Sequence, residues 1–268
     1  MNNVIVIPTW RCGLSCPYCA YEQQDDCKSI KYLGADYLYK VEKELIPEEW
    51  VSLLQKYEPA LFDFSGGEPL RYEGIEKVLN SLSRWSITSN TLLLDLDTSK
   101  IDFSKCAWWT ASYHPHVANE NLFDVFVKNI IRIKKNGVGV GVTLVAKPDT
   151  LSRVLSLCSK FAGLGFRVNI HPYYDDASFS WKKHPKEVEI LKKSPFLRYD
   201  DRLFSYAGIS GSGACRGGKS LFAIGPDGKI FKCLTNMLFG REPISENQTL
   251  LCNEKCYFPC DWYYGGRG

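Results

Sequence analysis

Short apolar runs alternate with amphipathic stretches along the first two-thirds of the chain, and this alternation predicts strands separated by helices. The apolar runs predict six strands, at residues 4–7, 61–64, 85–88, 107–112, 138–146 and 166–171. The amphipathic stretches predict helices at residues 47–57, 73–82, 121–135 and 149–162. Strands and helices that alternate in this way form a parallel sheet with right-handed crossovers, so we expect an α/β fold.

Three parts of the chain lack this alternation. Residues 20–46 are polar and aromatic without a clear period, and we interpret them as a loop with some local structure. Residues 177–205 mix Trp, Lys and Pro, and we interpret them as a lid or linker. Farther on, two short β runs flank Pro226-Asp227-Gly228, which is a strong hairpin pattern. We expect one domain over residues 1–205 and a small second domain over residues 206–268.

Composition and charge narrow the classes of protein that fit. The 268 residues carry a formal net charge of +3, too small to indicate nucleic-acid or membrane binding. No apolar stretch is long enough for a transmembrane helix, and the amino terminus lacks the basic and apolar regions of a signal peptide. The eleven cysteines are an odd number in a chain that is not small, which favours metal–thiolate ligation over a disulfide framework. We therefore expect a cytoplasmic protein with oxygen-sensitive metal centres.

Three of the cysteines stand close together near the start of the chain. Cys12, Cys16 and Cys19 are spaced C-x3-C-x2-C, directly after the first predicted strand. Three thiolates on one loop can hold three irons of a cubane 4Fe–4S cluster and leave the fourth iron free to bind a small molecule. A zinc site that also uses Cys27 is the weaker alternative, because no His or fourth Cys lies at zinc-finger spacing.

A second motif follows these cysteines. The apolar run at residues 61–64 leads into Ser65-Gly66-Gly67-Glu68-Pro69, where the glycines allow the backbone to approach a ligand closely. Together, the cysteine triplet and the Gly-Gly-Glu turn resemble the radical S-adenosylmethionine (SAM) superfamily. In that family the open iron binds the amino and carboxylate groups of the methionine moiety of SAM, and the Gly-Gly-Glu turn hydrogen-bonds the same amino group.

The resemblance implies a fold and a set of cofactor contacts. The fold is a partial (β/α)6 barrel with its chemistry at the carboxyl ends of the strands. The cofactors are SAM and a SAM-binding 4Fe–4S cluster. The implied SAM contacts are Gly66, Gly67 and Glu68, with Tyr18 near the adenine and Ser89 and Asn90 near the ribose. An ordinary Ser/Thr/Asn turn is the alternative at residues 88–90.

The C-terminal region contains five further cysteines, which are Cys215, Cys233, Cys252, Cys256 and Cys260. The predicted hairpin brings the second of them back beside the first, and the spacing C-x12-G-x4-C resembles the twitch and SPASM radical SAM enzymes. The resemblance implies a cysteine-rich, twitch-like domain with one auxiliary 4Fe–4S cluster, because a full SPASM domain needs seven cysteines. Cys215 and Cys233 are the firmest ligands, and two of the other three complete the set. A zinc ribbon is the alternative.

The three remaining cysteines show no ligand pattern. Cys158 falls within a predicted helix and is interpreted as a small buried hydrophobe, as is Cys106 before the fourth strand. Cys27 follows the cysteine loop, where exposure or packing is the simplest interpretation and a hydrogen-atom donor is the alternative.

Substrate-side groups are expected at the ends of the fourth to sixth strands. His114 and His116 follow the fourth strand, and His171 ends the sixth. Histidine titrates near neutrality, so these residues could supply acid–base catalysis in a substrate pocket. A packing role is the alternative, because a His before a Pro often packs in a loop.

The main expectation is a radical SAM enzyme that cleaves SAM reductively to a 5′-deoxyadenosyl radical and abstracts a hydrogen atom from an sp³ carbon. It would oxidise or rearrange a small polar metabolite, assisted by the auxiliary cluster. The first alternative is a maturase that modifies a ribosomally made peptide. The second is a non-catalytic iron–sulfur or zinc scaffold or electron-transfer protein. Expected partners are a small-molecule or peptide substrate and a reductant such as flavodoxin or ferredoxin, with no nucleic acid and no membrane.

Overall fold

The computed structural model describes residues 2–19, 21–24, 29–32, 38–92, 98–117, 120–173, 180–197, 217–218, 220–238 and 243 of the chain. The strands are β1 (Asn2–Val6), β2 (Tyr21–Gln24), β3 (Ser29–Tyr32), β4 (Leu38–Lys40), β5 (Ala60–Phe64), β6 (Trp85–Ser89), β7 (Cys106–Tyr113), β8 (Val140–Ala146), β9 (Arg167–Pro172), β10 (Leu221–Ile224) and β11 (Ile230–Phe231). The helices are α1 (Pro47–Gln55), α2 (Ile75–Ser81), α3 (Glu120–Lys135), α4 (Leu151–Gly163), α5 (Pro185–Lys192) and α6 (Leu234–Leu238). Within the described ranges, no helix combines the length and the apolar character needed to cross a lipid bilayer.

The six predicted strands lie in one sheet, which has the order β11-β10-β1-β5-β6-β7-β8-β9. Strands β1 and β5–β9 are parallel, and each lies beside the next of the six along the chain. This is the strand order of a partial (β/α)6 barrel. The predicted parallel α/β fold, its six strands and the helices α1–α4 are therefore confirmed.

The two faces of this sheet differ in polarity. Alternate residues of β5–β8, such as Phe62, Trp109 and Val142, are buried with side chains of α1–α4 in the main core. The opposite face carries several polar side chains, and there Ser86 Oγ donates a hydrogen bond of 2.7 Å to Asp63. Parallel sheets in α/β proteins normally bury apolar side chains on both faces. The polar side, which we call the inner face, is thus built to receive a polar ligand.

The amino-terminal part of the inner face is covered by Trp108 of β7. A Cβ on Gly139 would lie 2.6 Å from this ring, and a Cβ on Gly141 would lie 2.7 Å from it. The guanidinium of Arg167 lies 5.8 Å from the centre of the same ring. A ligand on the β7–β9 side is therefore confined to the carboxyl ends of the strands.

Residues 20–46, interpreted from the sequence as a loop with some local structure, contain a second sheet. Strands β2, β3 and β4 pair antiparallel in that order. Each has only three or four residues, which is too short for a hydrophobic period to show in the sequence. Tyr39 of β4 packs in a second core with Trp10 and Phe231, and its Oη donates a hydrogen bond of 2.7 Å to Asp227 Oδ1.

The predicted C-terminal hairpin is present as β10 and β11. Strand β10 lies parallel to β1, with Leu221 opposite Asn3, so the hairpin extends the main sheet. The Gly218 N–H donates a hydrogen bond of 2.9 Å to Lys232 O, which brings the end of the hairpin back to its start as predicted. The domain boundary between residues 205 and 206 stays a prediction.

The described part of the predicted lid or linker, residues 180–197, packs against the main sheet. It contains α5, and Trp181 and Leu191 are buried in the main core. Trp181 Nε1 donates a hydrogen bond of 2.9 Å to Tyr173 O. The Ile170 N–H of β9 donates one of 3.0 Å to Phe196 O, so this segment covers part of the edge strand β9.

Candidate active site at the carboxyl ends of the strands

The residues of the predicted site gather where the parallel strands end. The cysteine loop follows β1, the Gly-Gly-Glu turn follows β5, and Asn90 follows β6. His114 follows β7, and Tyr173 follows β9. Side chains alternate between the two faces of a strand, and counting along each strand puts Asn90, His114 and Tyr173 at inner-face positions.

Cys12, Cys16 and Cys19 lie together on the loop after β1. Cys12 and Cys16 are half-buried and Cys19 is exposed. Burial raises the pKa of Cys12, and burial together with the charges of Cys19 and Cys12 raises the pKa of Cys16 to about 12. Charges influence one another in this way only at short range, so the three thiols lie close together.

This group of thiols fits a 4Fe–4S cluster. No three His, Cys, Asp or Glu side chains of the described residues are grouped tightly enough to hold a single metal ion. A cubane does not need such a group, because each ligated iron takes its own thiolate. The raised pKa values of Cys12 and Cys16 mean that these thiols carry protons at neutral pH. The protons must leave when a cluster binds.

The Gly-Gly-Glu turn is bound to the cysteine loop through its backbone. The Glu68 N–H donates a hydrogen bond of 2.8 Å to Arg11 O. Gly66 has φ 119°, and a Cβ on Gly67 would lie 2.3 Å from Trp10 O. A side chain at Gly67 would overlap backbone atoms, and one at Gly66 would strain the backbone, so the two glycines fix the approach of β5 to the first cysteine.

The buried carboxylate of Glu68 binds the residues that end β6. It accepts hydrogen bonds from Ser89 Oγ (2.8 Å), the Asn90 N–H (2.7 Å) and the Leu70 N–H (3.1 Å). Burial raises the pKa of Glu68 to about 7, although the three donors act in the opposite direction. The Ser89 hydroxyl donates its hydrogen bond to Glu68. In the predicted contact with the ribose, the Ser89 oxygen would therefore have to accept a hydrogen bond.

The turn after β6 brings Asn90 to the first cysteine. Asn90 Nδ2 donates a long hydrogen bond of 3.9 Å to Cys12 Sγ. The next residue, Thr91, has φ 58°, which is the only positive φ at a non-glycine residue within the described ranges. Its Oγ1 accepts a hydrogen bond from Trp109 Nε1 (3.3 Å), and its carbonyl accepts one from Asn129 Nδ2 (2.8 Å). Neighbouring elements thus hold this turn in an otherwise unfavourable conformation.

Tyr18, predicted near the adenine, links the cysteine loop to the end of β7. Its Oη lies 2.7 Å from His114 Nδ1, and its ring centre lies 4.7 Å from that of His116 in an edge-on contact. Tyr173 adds a third ring at 6.3 Å from Tyr18. Burial lowers the pKa of His114 to about 4, so its imidazole is neutral near pH 7. Two of the three predicted histidines therefore contact Tyr18.

His171 lies on the inner face of β9, two residues before Tyr173. Asn169 Nδ2 lies 3.2 Å from His171 Nε2. Burial lowers the pKa of His171 to about 4, which also makes this imidazole neutral near pH 7. A neutral imidazole on a polar face can accept a proton, but a catalytic role for the three histidines stays a prediction.

Two cationic residues at the site belong to none of the sequence motifs. A Cβ on Gly13 would lie 2.7 Å from the guanidinium of Arg71, so this cation packs against the residue after Cys12. Lys147 follows β8 directly, and its Nζ lies 5.8 Å from the ring centre of Tyr173. The position of Lys147 at the end of a predicted strand is a sequence signal that could have identified it. Arg71 has no such signal, because its place depends on the short turn after Glu68.

Most C-terminal cysteines lie outside the described residues, as does Cys27. The cysteines concerned are Cys215, Cys252, Cys256 and Cys260. Cys233 is described and buried at the start of α6. Phe231 lies opposite Ala223, and Leu221 lies opposite Asn3, so Cys233 is level with the amino end of β1. The auxiliary cluster stays a prediction.

Of the cysteines without a ligand pattern, Cys158 is fully buried within α4, as predicted. Cys106 begins β7 and is half-buried against the main core, and burial raises its pKa to about 12.

Solved structures with a similar fold include those of anSMEcpe, an anaerobic sulfatase-maturating enzyme and a radical SAM enzyme of the SPASM/twitch group. The structure with bound AdoMet and Kp18Cys peptide is 18% identical, with 92% of this chain and 79% of that chain covered and a TM-score of 0.59. The structure with AdoMet and Cp18Cys peptide is 17% identical, with coverages of 92% and 78% and a TM-score of 0.57. The native enzyme with AdoMet is 18% identical, with coverages of 86% and 74% and a TM-score of 0.56.

No protein-family model and no curated protein matches the chain. The identity to the solved structures is low, and the likeness is one of fold. The motifs add chemistry to it, because the three-cysteine loop and the Gly-Gly-Glu turn occupy neighbouring strand ends. The chain therefore has a fold similar to that of a radical SAM enzyme, and its three-cysteine loop and Gly-Gly-Glu turn lie at the carboxyl ends of neighbouring strands of that fold.

Proposed function

We propose that the chain is a radical SAM enzyme that modifies a peptide. One observation carries the proposal: the loop of Cys12, Cys16 and Cys19 meets the Gly-Gly-Glu turn at adjacent strand ends, and the two are joined by the backbone bond from Glu68 to Arg11. A loop that served only as a structural metal site would have no need of two glycines packed against it.

In this proposal, Cys12, Cys16 and Cys19 hold a 4Fe–4S cluster, residues 66–68 bind the amino group of SAM, and Tyr18 packs against the adenine. A cluster and SAM held there would supply the reductive cleavage of the sulfonium–C5′ bond and the radical chemistry that removes a hydrogen atom from an sp³ carbon of the substrate. The inner face would hold that substrate carbon close to C5′ of SAM, and the aromatic rings around Tyr18 would exclude water from the reacting atoms.

The neutral histidines provide the proton acceptor that an oxidation needs. Loss of a hydrogen atom, and of an electron to the proposed auxiliary cluster, would leave a cationic carbon, and a neighbouring O–H, N–H or S–H group of the substrate would then lose a proton as the double bond forms. His114 and His171 are uncharged at neutral pH because burial lowers the pKa of each to about 4, so neither imidazole already carries a second proton.

The similar structures support a peptide rather than a small metabolite as the substrate. Two anSMEcpe structures hold a peptide together with AdoMet, and each aligns with 92% of this chain. The expectation of a small polar metabolite has no comparable support and stays a prediction. A flavodoxin or ferredoxin reductant, an auxiliary 4Fe–4S cluster and a cytoplasmic location complete the proposal.

The test is an anaerobic assay of SAM cleavage. The protein is reconstituted with iron and sulfide, reduced with dithionite, and assayed for 5′-deoxyadenosine with SAM present. We expect product from the wild type and none from Cys16→Ala, because the cluster would lose one of its three thiolates. Cys106→Ala is the matched control, since it removes a half-buried thiol that lies outside the loop.

The result that would overturn the proposal is also specific. A wild-type protein with an assembled cluster and bound SAM that forms no 5′-deoxyadenosine on reduction is a scaffold or an electron carrier. Equal product from Cys16→Ala and wild type would likewise remove the cysteine loop from the chemistry.

A further inference from the structure

Two cations that form no ion pair with a described carboxylate lie on the β7–β9 side of the candidate active site. Lys147 follows β8 at an inner-face position, and Arg153 lies in the first turn of α4. No carboxylate of the described residues lies within ion-pair distance of either side chain. We infer that Lys147 and His116 bind a carboxylate of the substrate, namely that of an acidic residue in a peptide; the inference rests on the proposed peptide-modifying function.

Lys147 makes a cation–π contact with Tyr173, whose ring lies beside that of Tyr18. Its Nζ lies 5.8 Å from the ring centre of Tyr173, and that ring lies 6.3 Å from Tyr18. Such a contact holds the ammonium group near the ring and leaves its N–H donors unused by carboxylates. The charge of Lys147 is therefore available to a ligand next to the ring proposed to pack against the adenine.

His116 supplies a second reason to expect a ligand. Its Nε2 is buried and has no hydrogen-bond partner among the described residues. A buried polar atom without a partner is costly, and a bound ligand is one of the few ways to satisfy it. Because the ring of His116 touches Tyr18 at 4.7 Å, a group bound to Nε2 lies at the edge of the SAM site.

The charges around His116 are predominantly positive. Burial and then the charge of Lys147 lower the pKa of His116, Asp149 opposes them, and Arg153 lowers it further. Burial raises the pKa of Tyr113, which ends β7, and the charge of Arg153 partly opposes this shift. Two cations outweigh the single acidic side chain among these groups, so an anionic group is favoured here.

The geometry fits a peptide carboxylate for a further reason. The Lys147 ammonium group, unlike the half-buried His116, belongs to a long flexible side chain, so the site can accept side chains of different length such as Asp and Glu. The amino-terminal part of the inner face is covered by Trp108, so the bound group has to enter from the carboxyl ends of the strands.

Binding of two synthetic peptide pools tests the inference. Both pools are short, fluorescein-labelled and randomised except at one central position, which is Asp or Glu in the first pool and Asn or Gln in the second. Fluorescence anisotropy with the reconstituted, SAM-bound wild type is expected to show about tenfold tighter binding of the acidic pool. Lys147→Gln should reduce this preference to less than about threefold, and Lys147→Arg should retain most of it.

Lys160→Gln is the matched control. Lys160 Nζ also lies 5.8 Å from an aromatic ring, that of Phe123, but on the outer surface of the helices. We expect Lys160→Gln to keep the full preference for the acidic pool. Equal loss in Lys160→Gln and Lys147→Gln would mean that only overall charge matters and would overturn the inference.

Two further results separate the outcomes. Equal binding of both pools to a wild type that forms 5′-deoxyadenosine would sink the carboxylate site and leave the proposed function standing. Succinate serves as a competitor. If succinate displaces the acidic pool at a concentration similar to that at which the pool itself binds, the site binds a small dicarboxylate, and the peptide part of the inference is overturned.

Discussion

Gly67 lies where no side chain fits. A Cβ at this position would be 2.3 Å from Trp10 O, and the overlapping atom belongs to the backbone, which cannot move away cheaply. We expect Gly67→Ala to lower the free energy of unfolding by roughly 2–4 kcal/mol and to reduce the iron bound after reconstitution. Urea unfolding and iron analysis measure the two effects.

Gly163 provides the control for this substitution. It lies in α4, and no atom lies within 4 Å of a Cβ built there. Alanine in a helix is more favourable than glycine, so Gly163→Ala should raise the free energy of unfolding by about 0.5–1 kcal/mol and leave iron binding unchanged. Equal stability of Gly67→Ala and wild type would show that the turn does not pack closely against the cysteine loop.

His171 makes stability depend on pH. Burial lowers its pKa in the folded state from 6.5 to about 4, so its contribution to stability is complete above pH 6.5 and is lost as the pH falls through about 4. We expect the unfolding free energy of wild type to fall relative to that of His171→Gln by roughly 3 kcal/mol between pH 7 and pH 4. Parallel pH curves for the two proteins, measured without metal by urea unfolding, would contradict this.

Residue types with a fixed spacing are predictable from sequence, whereas residues that meet through the fold are not. Cys12, Cys16 and Cys19 lie on one short stretch of the chain, and their spacing alone indicates their chemistry. Lys147 contacts Tyr173 only because β8 and β9 are neighbours, so no local pattern reports that contact. The hydrogen bond from Ser89 to Glu68 likewise depends on the pairing of β5 with β6.

At the scale of elements, α3 stabilises the turn that ends β6. Asn129 of α3 donates a hydrogen bond of 2.8 Å to the carbonyl of Thr91, which holds its positive φ of 58°. We expect Asn129→Leu to cost about 1–3 kcal/mol of unfolding free energy, because it leaves that carbonyl without its partner. Chemical denaturation of the metal-free protein measures the loss.

Asn136 offers a comparison at the end of the same helix. Its Nδ2 donates a hydrogen bond of 3.0 Å to Arg132 O, but the side chain is exposed, so water can replace the bond. Asn136→Leu should change the unfolding free energy by no more than about 0.5 kcal/mol. A cost as large as that of Asn129→Leu would mean that α3 contributes no specific support to the turn.

Periodicity predicts long elements better than short ones. The parallel strands bury apolar residues on one face over five to eight positions, and their runs are visible in the sequence. Strands β2, β3 and β4 have three or four residues each and are joined by backbone pairing. The hydrophobic pattern of the sequence therefore does not predict them. The hairpin of β10 and β11 is equally short, but its Pro-Asp-Gly turn marks it in the sequence.

At the scale of the whole molecule, the cysteine loop and Cys233, the described member of the C-terminal set, lie toward opposite ends of β1. The cysteine loop follows the carboxyl end of this strand, while Cys233 is level with its amino end through the pairing of β10 and β1. A strand of five residues is roughly 17 Å long at about 3.3 Å per residue, so substitutions at the two ends should act independently.

This separation gives a prediction for the auxiliary cluster. If Cys233 is one of its ligands, reconstituted wild type should bind about eight irons per chain and Cys233→Ser about four, while Cys233→Ser still cleaves SAM to 5′-deoxyadenosine at a rate close to that of wild type. Cys16→Ser should show the reverse, with the C-terminal cluster assembled and no cleavage of SAM. A wild type that binds only about four irons would leave a single cluster, at the carboxyl end of the barrel, whereas a Cys233→Ser variant that keeps all of about eight irons would rule out Cys233 as a ligand of the second cluster.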